Sequence, residues 1–127
     1  MKILALVFIG GGIGSLCRYL LSRYITINFF TAYPFLGTFL VNITGCLLIG
    51  FFVFYFTEGR FGAASLPWRL FLVTGLCGGY TTFSSFSLEN IVLIENRQIL
   101  TFLGYTFASL AVGFLATYAG ILAARNI

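Results

Sequence analysis

The chain contains no histidine and no aspartate, and its only carboxylates are Glu58, Glu89 and Glu95. General acid–base catalysis and metal-assisted hydrolysis need such groups in convergent sets, so an enzyme is not expected. Charge of either sign is scarce: 8% of the 127 residues are charged, against about 25% in a soluble domain. Cys17, Cys46 and Cys77 stand singly inside apolar stretches, in no metal-ligand spacing. They are expected to be packing residues, with neither disulfide nor zinc. Lysine and arginine outnumber carboxylates by seven to three, yet they are scattered one at a time, with no cluster to bind nucleic acid.

What remains is hydrophobic: 60% of the residues, with a mean hydropathy of +1.04. Four apolar segments, 3–25, 34–57, 66–96 and 99–124, are each long enough for the ~20 residues of a helical span. Short polar connections join them at Asn28 to Tyr33, Glu58 to Ser65 and Glu95 to Gln98. The two prolines, Pro34 and Pro67, fall at the first turns of the second and third segments, where a missing N–H costs least. The prediction is an all-α membrane protein, a single four-helix transmembrane domain over residues 1–127. Lys2 ahead of an apolar run is how a signal peptide begins, but no A-x-A cleavage site follows, so a retained helix is expected. Lys2, Arg60, Arg69 and Arg125 would lie on one membrane face, against Arg23 and Arg97 on the other, with Arg18 as a third if counted there. So weak a bias predicts insertion in both orientations.

The spans carry polar residues at helical intervals. Gly10 and Gly14 form a GxxxG pair that lets another helix approach closely. Arg18, four residues on and on the same face, either snorkels towards the headgroups near Arg23 and Tyr24 or attracts anions at an interface or vestibule. Thr38, Asn42 and Gly45 share one face of the second span. Asn42 either bonds a neighbouring helix or presents N–H to a passing ion. Thr101, Tyr105, Ser109, Gly113 and Thr117 recur every four residues in the fourth span. This ridge is expected to line a path, close packing being its other use. Phe51 and Phe52 are expected to face lipid.

The third span departs furthest from what lipid favours, in the run Gly75-Leu76-Cys77-Gly78-Gly79-Tyr80-Thr81-Thr82-Phe83-Ser84-Ser85-Phe86-Ser87. Glycines are poor helix formers, and Ser and Thr offer the backbone competing bonds, so a break is predicted at Gly78 to Thr81. Freed carbonyls at membrane depth cost several kcal/mol by rough transfer estimates, and are tolerated only where they are buried in protein or line a wet or ion-bearing site. That points to ion traffic. Phe83 and Phe86 follow at i, i+3, and the positive edge of an aromatic ring can meet a small anion.

Three motifs carry a resemblance: Gly11-Gly12-x-Gly14 with Arg18-Tyr19, Gly37-Thr38-x-x-Val41-Asn42-x-x-Gly45, and Gly78-Gly79-x-Thr81-Thr82-Phe83-Ser84-Ser85-Phe86. On these, over nearly its whole length, the chain resembles the Fluc (CrcB) fluoride channels. The resemblance implies four transmembrane helices per subunit, the third broken, in an antiparallel, dual-topology homodimer of the bacterial inner (plasma) membrane. It implies passive fluoride export that lowers cytoplasmic fluoride. The implied pathway residues are Asn42, Phe83 and Phe86, with a hydroxyl track of Thr38, Ser84, Ser85 and Ser109 and with Tyr105 near it. It further implies a structural sodium ion on the dimer axis, held by the backbone carbonyls of Gly78 and Thr81. Ser85 stands where the family often has Thr, and either supplies a hydroxyl. The alternative is a proton-coupled exporter of the small multidrug-resistance type, which needs a carboxylate deep in the first helix; none is there. A non-transporting assembly or lysis protein would need neither the third-span motif nor the polar ridge.

Overall fold

The computed structural model describes residues 1–56 and 65–127. Glu58 and Arg60, with most of the connection predicted around them, lie outside the described residues. All regular structure among the described residues is helical: α1 (Lys2–Phe29), α2 (Phe35–Tyr55), α3 (Ser65–Arg69), a π-helical segment (Leu70–Cys77), α4 (Gly78–Tyr80), α5 (Phe83–Glu95) and α6 (Ile99–Arg125). Helices α1, α2 and α6, of 28, 21 and 27 residues, are each long and apolar enough to cross a bilayer. The run from α3 to α5, between α2 and α6, makes up the third, interrupted span. Pro34 caps α2 and Pro67 lies in the first turn of α3, as predicted.

Two tightly packed pairs form the bundle. Helix α2 lies along α6, and α1 lies along the π-helical segment and α4. Lipid-like surroundings give no hydrophobic force between helices, so association rests on close backbone approach at small residues. Gly10 packs against Leu76 and Gly75, and Gly14 against Leu76 and Tyr80, with no room for a side chain at either. Gly50 and Gly120 serve the α2–α6 seam in the same way, against Thr117 and Leu47. Part of the predicted α6 ridge is therefore packing surface: Gly113 meets Cys46 and Ile43, and the Thr117 hydroxyl donates to its own helix at the Gly113 carbonyl (3.1 Å). Thr101, Tyr105 and Ser109 lie nearer the start of α6, away from this packing.

The outer surface is apolar, with Leu100, Phe8 and Phe114 at 86%, 82% and 74% exposure. Such a surface needs lipid or a partner. Phe51 and Phe52 do not simply face lipid. They are half-buried in a ring cluster with Tyr55 and Phe56, with Phe51 stacked on Tyr55 at 5.5 Å. The α5–α6 turn closes as a Schellman motif: Gln98 N–H donates to Leu93 O and Arg97 N–H to Ile94 O, both at 2.9 Å. Arg97 takes the left-handed position, φ 58°, that glycine usually fills.

Candidate functional site

The third span does break, but beyond the glycines. Gly78 and Gly79 remain helical, and the chain turns extended at Thr81 (φ −83°, ψ 155°) and Thr82 (φ −146°, ψ 118°). Gly79 serves contact, since its α-carbon seats against the backbone of Gly11, whereas Gly78 faces open space. The reason for the break lies in side chains that outcompete the helix. Thr81 N–H makes the last helical bond, to Cys77 O at 3.0 Å. Thr82 N–H, which would continue the ladder to Gly78 O, goes instead to Asn42 Oδ1 at 2.8 Å, and Asn42 Nδ2 donates back to Thr82 O at 3.0 Å. Thr82 Oγ1 then accepts the Ser85 N–H (3.1 Å) and so caps α5, with the Ser84 and Ser85 hydroxyls at 3.1 and 3.2 Å from it.

The break frees carbonyls, and these are treated unequally. Gly79 O accepts from Arg18 Nε at 3.2 Å and, more weakly, from the Ser15 hydroxyl at 3.4 Å. Among the described residues nothing donates to the carbonyls of Gly78 or Thr81. Arg18 thus reaches the break through its Nε.

Two cavities meet at Thr82. The larger, about 510 Å³, is lined by Arg18, Arg23, Thr38, Thr82, Ser85 and Glu89 among others. The smaller, about 300 Å³, is lined by Asn42, Cys46, Thr81, Phe83, Phe86 and Ser109 with their apolar neighbours. The residues predicted for a path thus divide between the two, guanidinium and hydroxyl groups on one side and rings with an amide on the other. Phe83 and Phe86 lie 5.8 Å apart by ring centroids. Phe83 is nonetheless 78% exposed, so the smaller cavity is open on that side. The Ser109 hydroxyl is buried with no hydrogen-bond partner among the described residues. Cys46 lines this cavity instead of only packing, while Cys77 is fully buried.

Two predicted residues are placed differently. Ser84 lines neither cavity; it is exposed, and its hydroxyl belongs to the cap at Thr82. Tyr105 is 4% exposed and lines neither cavity, its ring packed 5.2 Å from Phe86 and 4.8 Å from Phe35. It reaches the site through Glu89, a residue the sequence reading passed over. Glu89 Oε1 accepts from Thr38 Oγ1 at 2.6 Å, and Glu89 Oε2 from Tyr105 OH at 2.8 Å. The carboxyl lines the larger cavity on one side and, on the other, a cavity of about 370 Å³ with Tyr33, Asn96 and Gln98. The signal was present: a lone carboxylate inside a span is functional by default, and this one stands four residues after Ser85 and three after Phe86. Two hydroxyl donors hold its charge in place between the cavities. Asn90 and Thr106, joined at 3.0 Å, tie α5 to α6 beside it.

The chain matches known proteins over nearly all its length. Residues 5–121 fit the model of the CrcB-like protein family, described as Camphor Resistance (CrcB). A protein of Flavobacterium psychrophilum named fluoride-specific ion channel FluC is 44% identical over 127 residues, the whole of both chains. Proteins of the same name are 46% identical in Gloeothece citriformis, over 116 residues and 91% of each chain, and 46% in Phocaeicola vulgatus, over 121 residues, 95% of this chain and 97% of the relative. With its interrupted third span and its Asn42-stapled break, this chain belongs to the CrcB family.

Proposed function

We propose that the chain is a subunit of a fluoride-selective ion channel of the bacterial plasma membrane, which lets fluoride leave the cytoplasm passively. It is a multi-pass membrane protein and not an enzyme. The observation that carries the reading is the pair of cavities meeting at Thr82, one lined by guanidinium and hydroxyl groups beside the Glu89 carboxylate, the other by an amide, a hydroxyl without a partner among the described residues and two phenylalanine rings. Fluoride is small and tightly hydrated, so its dehydration must be offset by several such donors, and a narrow bore lined by them disfavours a larger anion. The pathway residues are Asn42, Phe83, Phe86 and Ser109 in the smaller cavity and Ser85 in the larger, where Thr38 lines the wall with its proton held by Glu89. Arg18 draws anions into the larger cavity, while Tyr105 and Thr38 restrain Glu89. The names of the relatives support the same ion. The exporter alternative is disfavoured, because α1 carries no carboxylate to exchange protons.

The channel is an antiparallel homodimer. The smaller cavity is open at Phe83, and a second copy in the opposite orientation completes its wall, as the weak charge bias allows. Gly78 and Thr81 would hold a structural sodium ion between the copies through their carbonyls. These oxygens receive no donor among the described residues, and oxygen ligands suit a hard cation; Gly78 leaves open space beside them. When bound, the ion supplies positive charge that satisfies carbonyls the break leaves bare.

Fluoride efflux from proteoliposomes tests the proposal. Purified protein should release trapped fluoride without a proton gradient and retain chloride. Release of a cationic drug driven by a pH gradient, or no flux of any kind, would overturn it.

A further inference from the structure

We infer that Asn42 is a positioning residue: its amide staples the extended Thr82 peptide and thereby sets where the Phe83 and Phe86 rings stand in the smaller cavity. Both backbone groups of Thr82 are bonded by one planar side chain, N–H to Oδ1 at 2.8 Å and C=O to Nδ2 at 3.0 Å. Two contacts from one plane fix the rotation of the Thr82 backbone as well as its position. The residue type is demanding. Aspartate at the same length lacks the donor, serine or threonine has a single oxygen for two groups, and leucine has neither.

From the other side of the break, Arg18 and Ser15 of α1 hold the Gly79 carbonyl. The extended residues are therefore clamped between α1 and α2. Helix α5 begins immediately after Thr82, with Phe83 as its first residue and Phe86 one turn on. The orientation of Thr82 thus sets the direction of α5 and of both rings. One hydrogen of the Asn42 amide goes to Thr82 O, which leaves the second for the cavity that Asn42 lines. Lining the cavity and building it are separate tasks of one side chain.

The flux part of the test rests on the channel reading above; the exchange part does not. Hydrogen–deuterium exchange and anion efflux are measured on the full-length protein in liposomes, for the wild type, Asn42→Ala, Asn42→Thr and Phe83→Ile. Asn42→Ala should speed exchange over residues 82–86 by about ten- to a hundredfold, as expected for the loss of both Asn42 hydrogen bonds to Thr82, with the rest of α2 and α6 unchanged. Asn42→Thr should fall between Asn42→Ala and wild type, and it carries the comparison if Asn42→Ala does not assemble. Because loosened rings widen the bore, the fluoride-to-chloride efflux ratio should fall in the same order; a residue needed only for folding would lower the amount of channel and leave that ratio alone. Phe83→Ile should slow efflux at wild-type exchange. Wild-type exchange in both Asn42 variants would overturn the staple, and faster exchange with an unaltered ratio would overturn its positioning role. Wild-type efflux in Phe83→Ile would instead count against the pathway, and the exchange comparison would still decide the staple.

Discussion

Replacing Gly14 by alanine measures how closely α1 must approach the third span. A Cβ at Gly14 would lie 2.8 Å from Tyr80 N and still closer to the carbonyl oxygen of Leu76. Both are backbone atoms on a packed helix, so neither can swing aside. Contact between non-bonded heavy atoms settles near 3.5 Å, so α1 must retreat by roughly 0.7 Å or more. Arg18 lies one turn further along α1, with its Nε 3.2 Å from Gly79 O. The same retreat takes that bond beyond about 3.5 Å, where it no longer counts as one. Overpacking costs about 1–3 kcal/mol, and a hydrogen bond from a charged donor about 1.5–3 kcal/mol. A loss of about 2.5–6 kcal/mol is therefore expected from the two effects together. Gly12→Ala supplies the control: a Cβ there meets nothing within 4 Å, and alanine should gain about 0.5–1 kcal/mol over glycine in a helix. Unfolding in mixed detergent micelles, followed by circular dichroism, gives both values. Gly14→Ala as stable as Gly12→Ala would refute the seam as described.

Tyr105→Phe keeps the ring against Phe86 and Phe35 but removes the 2.8 Å bond to Glu89; stability in detergent should fall by about 1.5–3 kcal/mol, and fluoride efflux should slow as the carboxylate is released towards the cavity. Wild-type melting and efflux together would show that the restraint is idle. Arg97→Gly relieves the left-handed φ of 58°, a gain of about 1 kcal/mol, and also removes one of the two charges on the weaker face. Melting should therefore improve while C-terminal reporters show one orientation gaining over the other; unchanged melting would sink the first part and equal orientations the second. Exchanging sodium for a bulky organic cation over days should weaken the dimer on size exclusion, and a dimer indifferent to that exchange would count against the carbonyl site.

The spans were legible because twenty-residue apolar runs have few other fates, and Pro34 and Pro67 marked two of their starts. The GxxxG seam was equally plain, since Gly10 and Gly14 have no use in lipid other than close approach. The position of the break was legible only in part. The sequence placed it at Gly78 to Thr81, and the chain turns extended at the last of these and at Thr82; glycine is tolerated in a helix when packing demands it, and the competition was decided by Asn42, forty residues away in sequence. Local patterning cannot reveal a side chain that replaces the helical ladder from another helix. For the same reason the α6 ridge read as one surface, although its Gly113 and Thr117 face α2 and its Tyr105 meets Glu89. Glu89 itself was visible as an isolated charge in a span, and its meaning came only with the two hydroxyls that converge on it.

The central claim is that rings and donors around the smaller cavity pass fluoride and reject chloride, and electrical recording of the purified protein in planar bilayers tests it most directly. With fluoride on both sides the wild type should carry a steady current that vanishes when chloride replaces it. Phe83→Ile and Phe86→Ile should lose the fluoride current while still forming dimers, and Phe114→Ile, on the exposed face of α6, should keep it. Equal currents in fluoride and chloride, or a wild-type fluoride current in both cavity variants, would contradict the claim.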